Sequence, residues 1–218
     1  MRIVDITGPI YDGMWSYPEP YPPVVIEELP IPEWIEYPTY SWSFSFGCQS
    51  GSYLETSLHV DRNGPPVVDV PIEDLFMRPA AVIKIDVEPL GRIEVEQLME
   101  AAPDIQPGDA LIVSTGWGRR WREADFVDNC PYFSHDAMYW LLDHEPFIFS
   151  ADMPRFDSWA DPQEFFGRFF EQGVLLLAPM CNLEQIGADR GHIVALPLKV
   201  EQACAAPCRT LFIEGWSG

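Results

Sequence analysis

In the segment 47–60, GCQSGSYLETSLHV, a histidine, His59, follows a carboxylate, Glu55, by four residues. Imidazole titrates near neutral pH, so His59 can accept a proton and return it within one turnover, while Glu55 can set its tautomer or act as a second proton carrier. That role requires the segment to coil into a turn; a histidine that only hydrogen-bonds within a core is the alternative. A second group is Asp152 with Arg155 in ADMPRFD. An aspartate beside an arginine in a loop can order a substrate carboxyl or carbonyl, and can equally form an ion pair that steadies the loop. Trp15, Trp117, Trp159 and Phe166 would suit an apolar pocket for a flat hydrophobic substrate, although most Trp and Phe must serve the core. His135 reads as an exposed first-turn residue, and His144 and His192 flank strands without an evident partner. The five cysteines, at 48, 130, 181, 204 and 208, form no C-x-x-C pair and leave one over. Neither a zinc knuckle nor a complete disulfide framework is indicated, and reduced thiols are expected.

The elements that must position these groups follow from local pattern. Residues 1–40 are crowded with proline and aromatics, as in YPEPYPP at 17–23. Proline fixes φ and lacks an N–H, so an extended arm is expected there, packed on its own body or on a second subunit through its large apolar rings. Residues 41–46, SWSFSF, alternate with period two and predict a strand with one buried face leading into the 47–60 segment. Residues 80–87 and 110–114 read as buried strands, the second introduced by the turn Pro107-Gly108-Asp109. Between them, 94–102 has helical spacing. Ser134 is a good N-cap for a helix over 135–142, with Asp136 near the positive end of its dipole. A strand over 147–150, a helix over 162–172 ended by Gly173, and strands over 174–177, 193–200 and 210–214 complete the reading. Helices interspersed among roughly seven or more strands, with no repeat or linker, argue one α/β or α+β domain over 1–218.

Bulk composition narrows the partners. With 34 acidic against 13 basic residues the chain carries −21, which repels phosphate backbones and anionic membranes, so nucleic acid and membrane are excluded as partners and a small molecule is expected. Mean hydropathy is −0.05, and the sequence contains no spanning apolar run. The opening Met1-Arg2-Ile3-Val4-Asp5 is strand-like rather than a signal peptide, giving a cytoplasmic expectation.

The segment 47–60 resembles the H-x-G-T-H-x-D-x-P-x-H signature of the cyclase family that includes bacterial kynurenine formamidase and isatin hydrolase. Other blocks are similar and lie in order along the chain. DITGPIYDGM at 5–14 resembles D-L-S/T-x-P-I-x-D-G-M, and PGD at 107–109 with STGW at 114–117 resembles the P-G-D and T-G-W block. ADMPRFD at 151–157, Asn182-Leu183 and ALPLK at 195–199 match the later blocks. The resemblance implies a single-domain α/β fold of the swivelling β/β/α type, with a mixed, barrel-like sheet flanked by helices. It also implies a divalent metal held by two histidines and an aspartate of the signature together with a downstream histidine and glutamate. Aligned on Gly51 and on Asn182-Leu183, those positions hold Gln49, Tyr53, Glu55, Phe166 and Ala178. Only Glu55 offers a good anionic oxygen, whereas a zinc or manganese site needs roughly three or four protein ligands. Cys48 and Cys181 are near enough in sequence to rescue a thiolate site, or are simply small buried residues.

His59 matches the terminal histidine of the signature, which the resemblance implies is a general acid or base. Tyr53 puts a hydroxyl where an imidazole would bind metal, either to donate to an oxyanion or enolate oxygen or only to fill the volume. The expected protein therefore uses neither metal nor cofactor. His59, Glu55 and Tyr53 are its catalytic candidates, and Gln49, Trp15, Trp117, Asp152, Arg155 and Phe166 its substrate-binding candidates. Ring closure, dehydration or isomerisation of an apolar polyketide or aromatic carbonyl compound fits acid–base groups alone, because hydrolysis of an unactivated amide loses much without a metal. A rearranged metal-dependent amidohydrolase or lactonase and a non-catalytic binding protein are the alternatives. A homodimer or homotetramer is expected.

Overall fold

The computed structural model describes residues 1–216; residues 217 and 218, included in the single-domain expectation, lie outside the described residues. Strand β1 (Arg2–Asp5) is followed by a hairpin of β2 (Val25–Leu29) and β3 (Ser41–Ser45), then β4 (Tyr53–Glu55) and the short helix α1 (Ile72–Leu75). Next come β5 (Phe76–Lys84), β6 (Arg92–Ile93), α2 (Val95–Ala101), β7 (Ala110–Ser114), β8 (Tyr132–Phe133) and α3 (His135–Leu142). The chain closes with β9 (Ile148–Ala151), α4 (Phe166–Glu171), β10 (Leu175–Ala178), β11 (Arg190–Pro197) and β12 (Ala205–Glu214).

The apolar runs of β5, β7 and β9 pair in parallel, as strands buried on both faces do. β10 extends that row, and β11 and β12 continue it antiparallel on the other side of β5. Three-residue β4 closes the ring, pairing with β10 on one edge and with the start of β12 on the other. The result is a closed, mixed barrel of seven strands, with β1 attached to the far half of β12. Alternation then separates the side chains. Leu54, Val82, Ile112 and Leu177 belong to the cluster that fills the barrel. Tyr53, Ile83, Val113 and Leu176 face outward, where α2, α3 and α4 cover them through residues such as Leu98, Leu141 and Phe169. Because Tyr53 and Glu55 are two apart on β4, both emerge on that helix-covered face.

Local chemistry explains the helix ends. α2 begins at a capping box, with Glu94 and Gln97 each accepting the other's backbone N–H, and Ser134 Oγ accepts the Ala137 N–H at 3.1 Å to start α3. α4 is shorter than expected, starting at Phe166 and not at Pro162. The Gln163 N–H is held by Asp157 Oδ1 at 2.8 Å, and Glu164 has φ of +56°, which a right-handed helix cannot include.

The N-terminal arm also differs from expectation. Residues 2–5 are a strand of the main sheet and residues 25–29 form a hairpin with β3, so only the stretches between them are irregular. In β3, Trp42 and Phe44 are 53% and 67% exposed, so the face expected to be buried is not covered by this chain.

Candidate active site

β4 ends at Glu55 because Thr56 turns the chain. The Thr56 N–H donates to the Cys204 carbonyl at 2.9 Å, and its hydroxyl donates to the Pro65 carbonyl at 2.6 Å. A single 3-10 turn over Ser57–His59 follows. The turn brings the imidazole of His59 back onto Glu55, Nδ1 to Oε1 at 3.1 Å. Gln49 Nε2 donates to the same oxygen at 2.7 Å. These groups open into a cavity of about 610 Å³. Tyr53, Leu176 and Ala178 form its base on the outer face of β4 and β10, and Phe166 and Phe170 of α4 form one wall. Tyr17 and Tyr21 from the N-terminal stretch and Trp159 from the 154–162 loop complete it.

All five positions that the sequence resemblance assigned to metal ligands, Gln49, Tyr53, Glu55, Phe166 and Ala178, line this one cavity. They do not fit a metal. The side chains of Phe166 and Ala178 carry no lone pair, and Gln49 turns its amide N–H toward Glu55 and offers at most a neutral amide oxygen. Tyr17 Oη donates to the Pro154 carbonyl at 2.6 Å, so the contact of 3.1 Å between the two phenols is a donation from Tyr53 to Tyr17. Burial raises the Tyr53 pKa well above its usual value, so this phenol stays protonated rather than becoming a phenolate ligand.

The remaining pair has unusual electrostatics. Glu55 has only 3% of its side chain exposed, and burial, opposed by the Gln49 amide, pushes its pKa up to about 8. His59 lies nearer the mouth, and burial lowers its pKa. Both shifts favour uncharged forms, so near neutral pH a carboxylic acid lies beside a neutral imidazole. A protonated acid and an unprotonated base in one pair can give a proton to one substrate atom and remove one from another.

Several expected site residues are elsewhere. Trp15 packs against Trp121 and Phe126, with ring centroids 5.0 and 5.1 Å away, and is not in the cavity lining. Trp117 is 2% exposed, and its indole N–H donates to the Phe126 carbonyl at 2.9 Å. Asp152 is buried and ties two loops together, accepting from the Thr115 N–H and hydroxyl and from the Gly118 N–H. At Gly118 a Cβ would lie 2.8 Å from the Met180 carbonyl oxygen, so the tight junction there requires glycine. Arg155 does line the cavity, but its guanidinium donates to the carbonyls of Val127, Asp157 and Asp128 and stacks over Trp159 at 4.0 Å. Asp152 and Arg155 thus make neither a substrate clamp nor an ion pair with each other. Cys181 donates to the Gly118 carbonyl at 3.6 Å and is absent from the cavity lining.

Tyr17, Tyr21 and Phe170 are cavity residues that sequence reasoning passed over. Phe170 was detectable, standing one helical turn after Phe166. The two tyrosines belong to an arm whose path over the body has no local signal.

The architecture is thus a closed mixed barrel with helices on its outer face and an apolar cavity at the closing strand. The Cyclase family model matches residues 4–158, and the chain belongs to that family. Kynurenine formamidase of Bordetella petrii (strain ATCC BAA-461 / DSM 12804 / CCUG 43448) is 24% identical over 165 residues, covering 75% of this chain and 76% of the relative. A solved structure described as a potential metal-dependent hydrolase with cyclase activity superposes with a TM-score of 0.79 at 22% identity, covering 99% of each chain. Isatin hydrolase A from Ralstonia solanacearum gives a TM-score of 0.78 at 22% identity, covering 97% of this chain and 91% of its own. At these identities the structural likeness establishes the fold. No helix among the described residues is long and apolar enough to cross a membrane.

Proposed function

We propose that this chain is a metal-independent, cyclase-type enzyme that moves protons on a flat, apolar carbonyl compound. The reaction is ring closure, dehydration or isomerisation of a polyketide or aromatic intermediate in natural-product biosynthesis. The observation that carries the reading is the Glu55–His59 pair, 3.1 Å apart, at a cavity whose other inherited ligand positions hold Gln, Tyr, Phe and Ala. Glu55 Oε1 accepts from Gln49 and from His59 Nδ1–H, which leaves Oε2 to carry the acid proton and His59 Nε2 to act as base. Nε2 takes a proton from the carbon next to a carbonyl, the C–H electron pair forms the enol double bond, and the Glu55 acid protonates the carbonyl oxygen. The imidazolium and carboxylate that result face each other, and a proton passing from Nδ1 to Oε1 gives a neutral pair in the opposite tautomer, with Nε2–H toward the product; proton exchange with solvent then resets the pair. Tyr53 and Tyr17 fix the cavity base, and Phe166 and Trp159 supply faces for a flat ring.

The names of the relatives favour a second reading, hydrolysis of a cyclic amide or formamide. The ligand set weighs against it, since no metal site of the family's type is available to lower the pKa of water or polarise the carbonyl. Both readings meet the same test. Aryl 1,3-dicarbonyl compounds incubated with the protein in D₂O are expected to exchange their α-protons, followed by NMR, while isatin is not hydrolysed with or without added Mn²⁺ or Zn²⁺. Metal-stimulated isatin hydrolysis without α-proton exchange would reject the proposal.

The exposed aromatic face of the hairpin bears on assembly. A two-stranded hairpin is marginal in water on its own, and Trp34, Tyr37, Tyr40, Trp42 and Phe44 are all more than half exposed. We infer that a second copy of the chain covers this face, in a homodimer or homotetramer acting in the cytoplasm on a small molecule. Light scattering is expected to give a multiple of 24.8 kDa, and Trp42→Ser with Phe44→Ser a monomer. A wild-type monomer at micromolar concentration would contradict this.

A further inference from the structure

β4 brings a second kind of donor to the acid–base pair. Ala205 is in register with Glu55 across β4 and β12, so Cys204, the residue before it, arrives beside the 3-10 turn. One ligand atom each from Glu55, His59 and Cys204 lie within 4.8 Å of one another. The backbone fixes this approach, because the Cys204 carbonyl accepts the Thr56 N–H at 2.9 Å. Cys204 is absent from the cavity lining and matches none of the five inherited ligand positions.

We propose that Glu55, His59 and Cys204 bind one thiophilic divalent cation, of the Zn²⁺ class, whose occupation takes the proton-transfer pair out of use. One sulfur, one imidazole nitrogen and one carboxylate oxygen form a donor set that favours Zn²⁺ over Mg²⁺ or Ca²⁺. Ligand bonds of about 2.0 to 2.3 Å put tetrahedral ligand atoms roughly 3.3 to 3.8 Å apart. The 3.1 Å pair must therefore open slightly and the sulfur close in. His59, with 35% of its side chain exposed, has the freedom to adjust. Metal binding displaces the protons that burial holds on Glu55 and Cys204, whose pKa values are pushed up to about 8 and about 11; the resulting carboxylate and thiolate neutralise the dication, and the chain's charge of −21 concentrates cations around it. Bound metal would occupy the carboxylate and imidazole lone pairs that proton transfer needs.

The inhibitory half of this inference rests on the proposed proton-transfer function; the binding half does not. Full-length protein, reduced and stripped with chelator, is titrated with Co²⁺. The expected result is one ion per chain with a near-ultraviolet thiolate-to-cobalt charge-transfer band, displaced by Zn²⁺ and unaffected by Mg²⁺. Cys204→Ser should remove the band and weaken Co²⁺ at least tenfold, with an unchanged circular dichroism spectrum. His59→Ala should weaken Co²⁺ while keeping the band, which preserves the test if the serine variant does not fold. Absence of stoichiometric binding, or a band that survives Cys204→Ser, would overturn the site. Zn²⁺ binding without α-proton exchange in metal-free protein would leave the site standing and reject the catalytic reading. Exchange accelerated by Zn²⁺ would overturn the inhibitory role.

Discussion

Replacing His59 by alanine is expected to lower α-proton exchange by about 10²- to 10⁴-fold, the usual contribution of a positioned general base. The size of the effect follows from the site. Among the described residues lining the cavity, His59 is the only imidazole, and the other ionisable groups near its base, Tyr53 and Tyr17, are phenols that burial keeps protonated. Glu55 is itself protonated below about pH 8, so it cannot take over as base near neutrality. The cavity walls come from other residues, chiefly Phe166, Phe170 and Trp159. Binding of a flat aromatic probe, followed by tryptophan fluorescence, should therefore change by no more than a few fold. Unchanged exchange in His59→Ala would show that the histidine only hydrogen-bonds in the structure.

Glu55→Gln is expected to stabilise the protein at alkaline pH. The folded-state pKa of Glu55 is raised from 4.5 to about 8. Between those values the folded chain holds a proton that the unfolded chain has released, so stability falls as pH rises through this window. The stabilising effect of the raised pKa is complete below 4.5 and lost above 8. At about 1.4 kcal/mol per pH unit the penalty for ionising the buried acid is on the order of 5 kcal/mol. For a chain of 218 residues that corresponds to a melting-temperature difference on the order of 10 °C. Glutamine preserves the shape and the acceptor for Gln49 without the charge. Its melting-temperature advantage should be large at pH 9 and nearly absent at pH 5. An advantage independent of pH, or confined to acid, would mean that Glu55 is ionised in the native protein at neutral pH.

What could be read from sequence was what local chemistry determines. The buried runs of β5 and β7, the helical spacing from Glu94 and the cap at Ser134 depend on neighbouring residues. The resemblance supplied the family, the barrel-like α/β fold and the five positions that meet at the cavity. Long-range register was not legible. Nothing near Cys204 signals that β12 will lie beside β4, and nothing in the N-terminal arm signals that Tyr17 will cover Tyr53. Residue type also misled where scaffold and site use the same chemistry. Asp152 and Trp117 sit in sequence blocks that resemble functional motifs, yet they satisfy backbone groups inside the protein. Alternation in β3 shows only that one face is apolar, not what covers it.

An acid–base pair in a cavity whose inherited metal positions no longer fit a metal must work without one. The decisive experiment is α-proton exchange by the wild-type protein before and after exhaustive chelation. Exchange is expected to be undiminished, or increased, by removal of metal. Exchange abolished by the chelator and restored by Zn²⁺ or Mn²⁺ would contradict it.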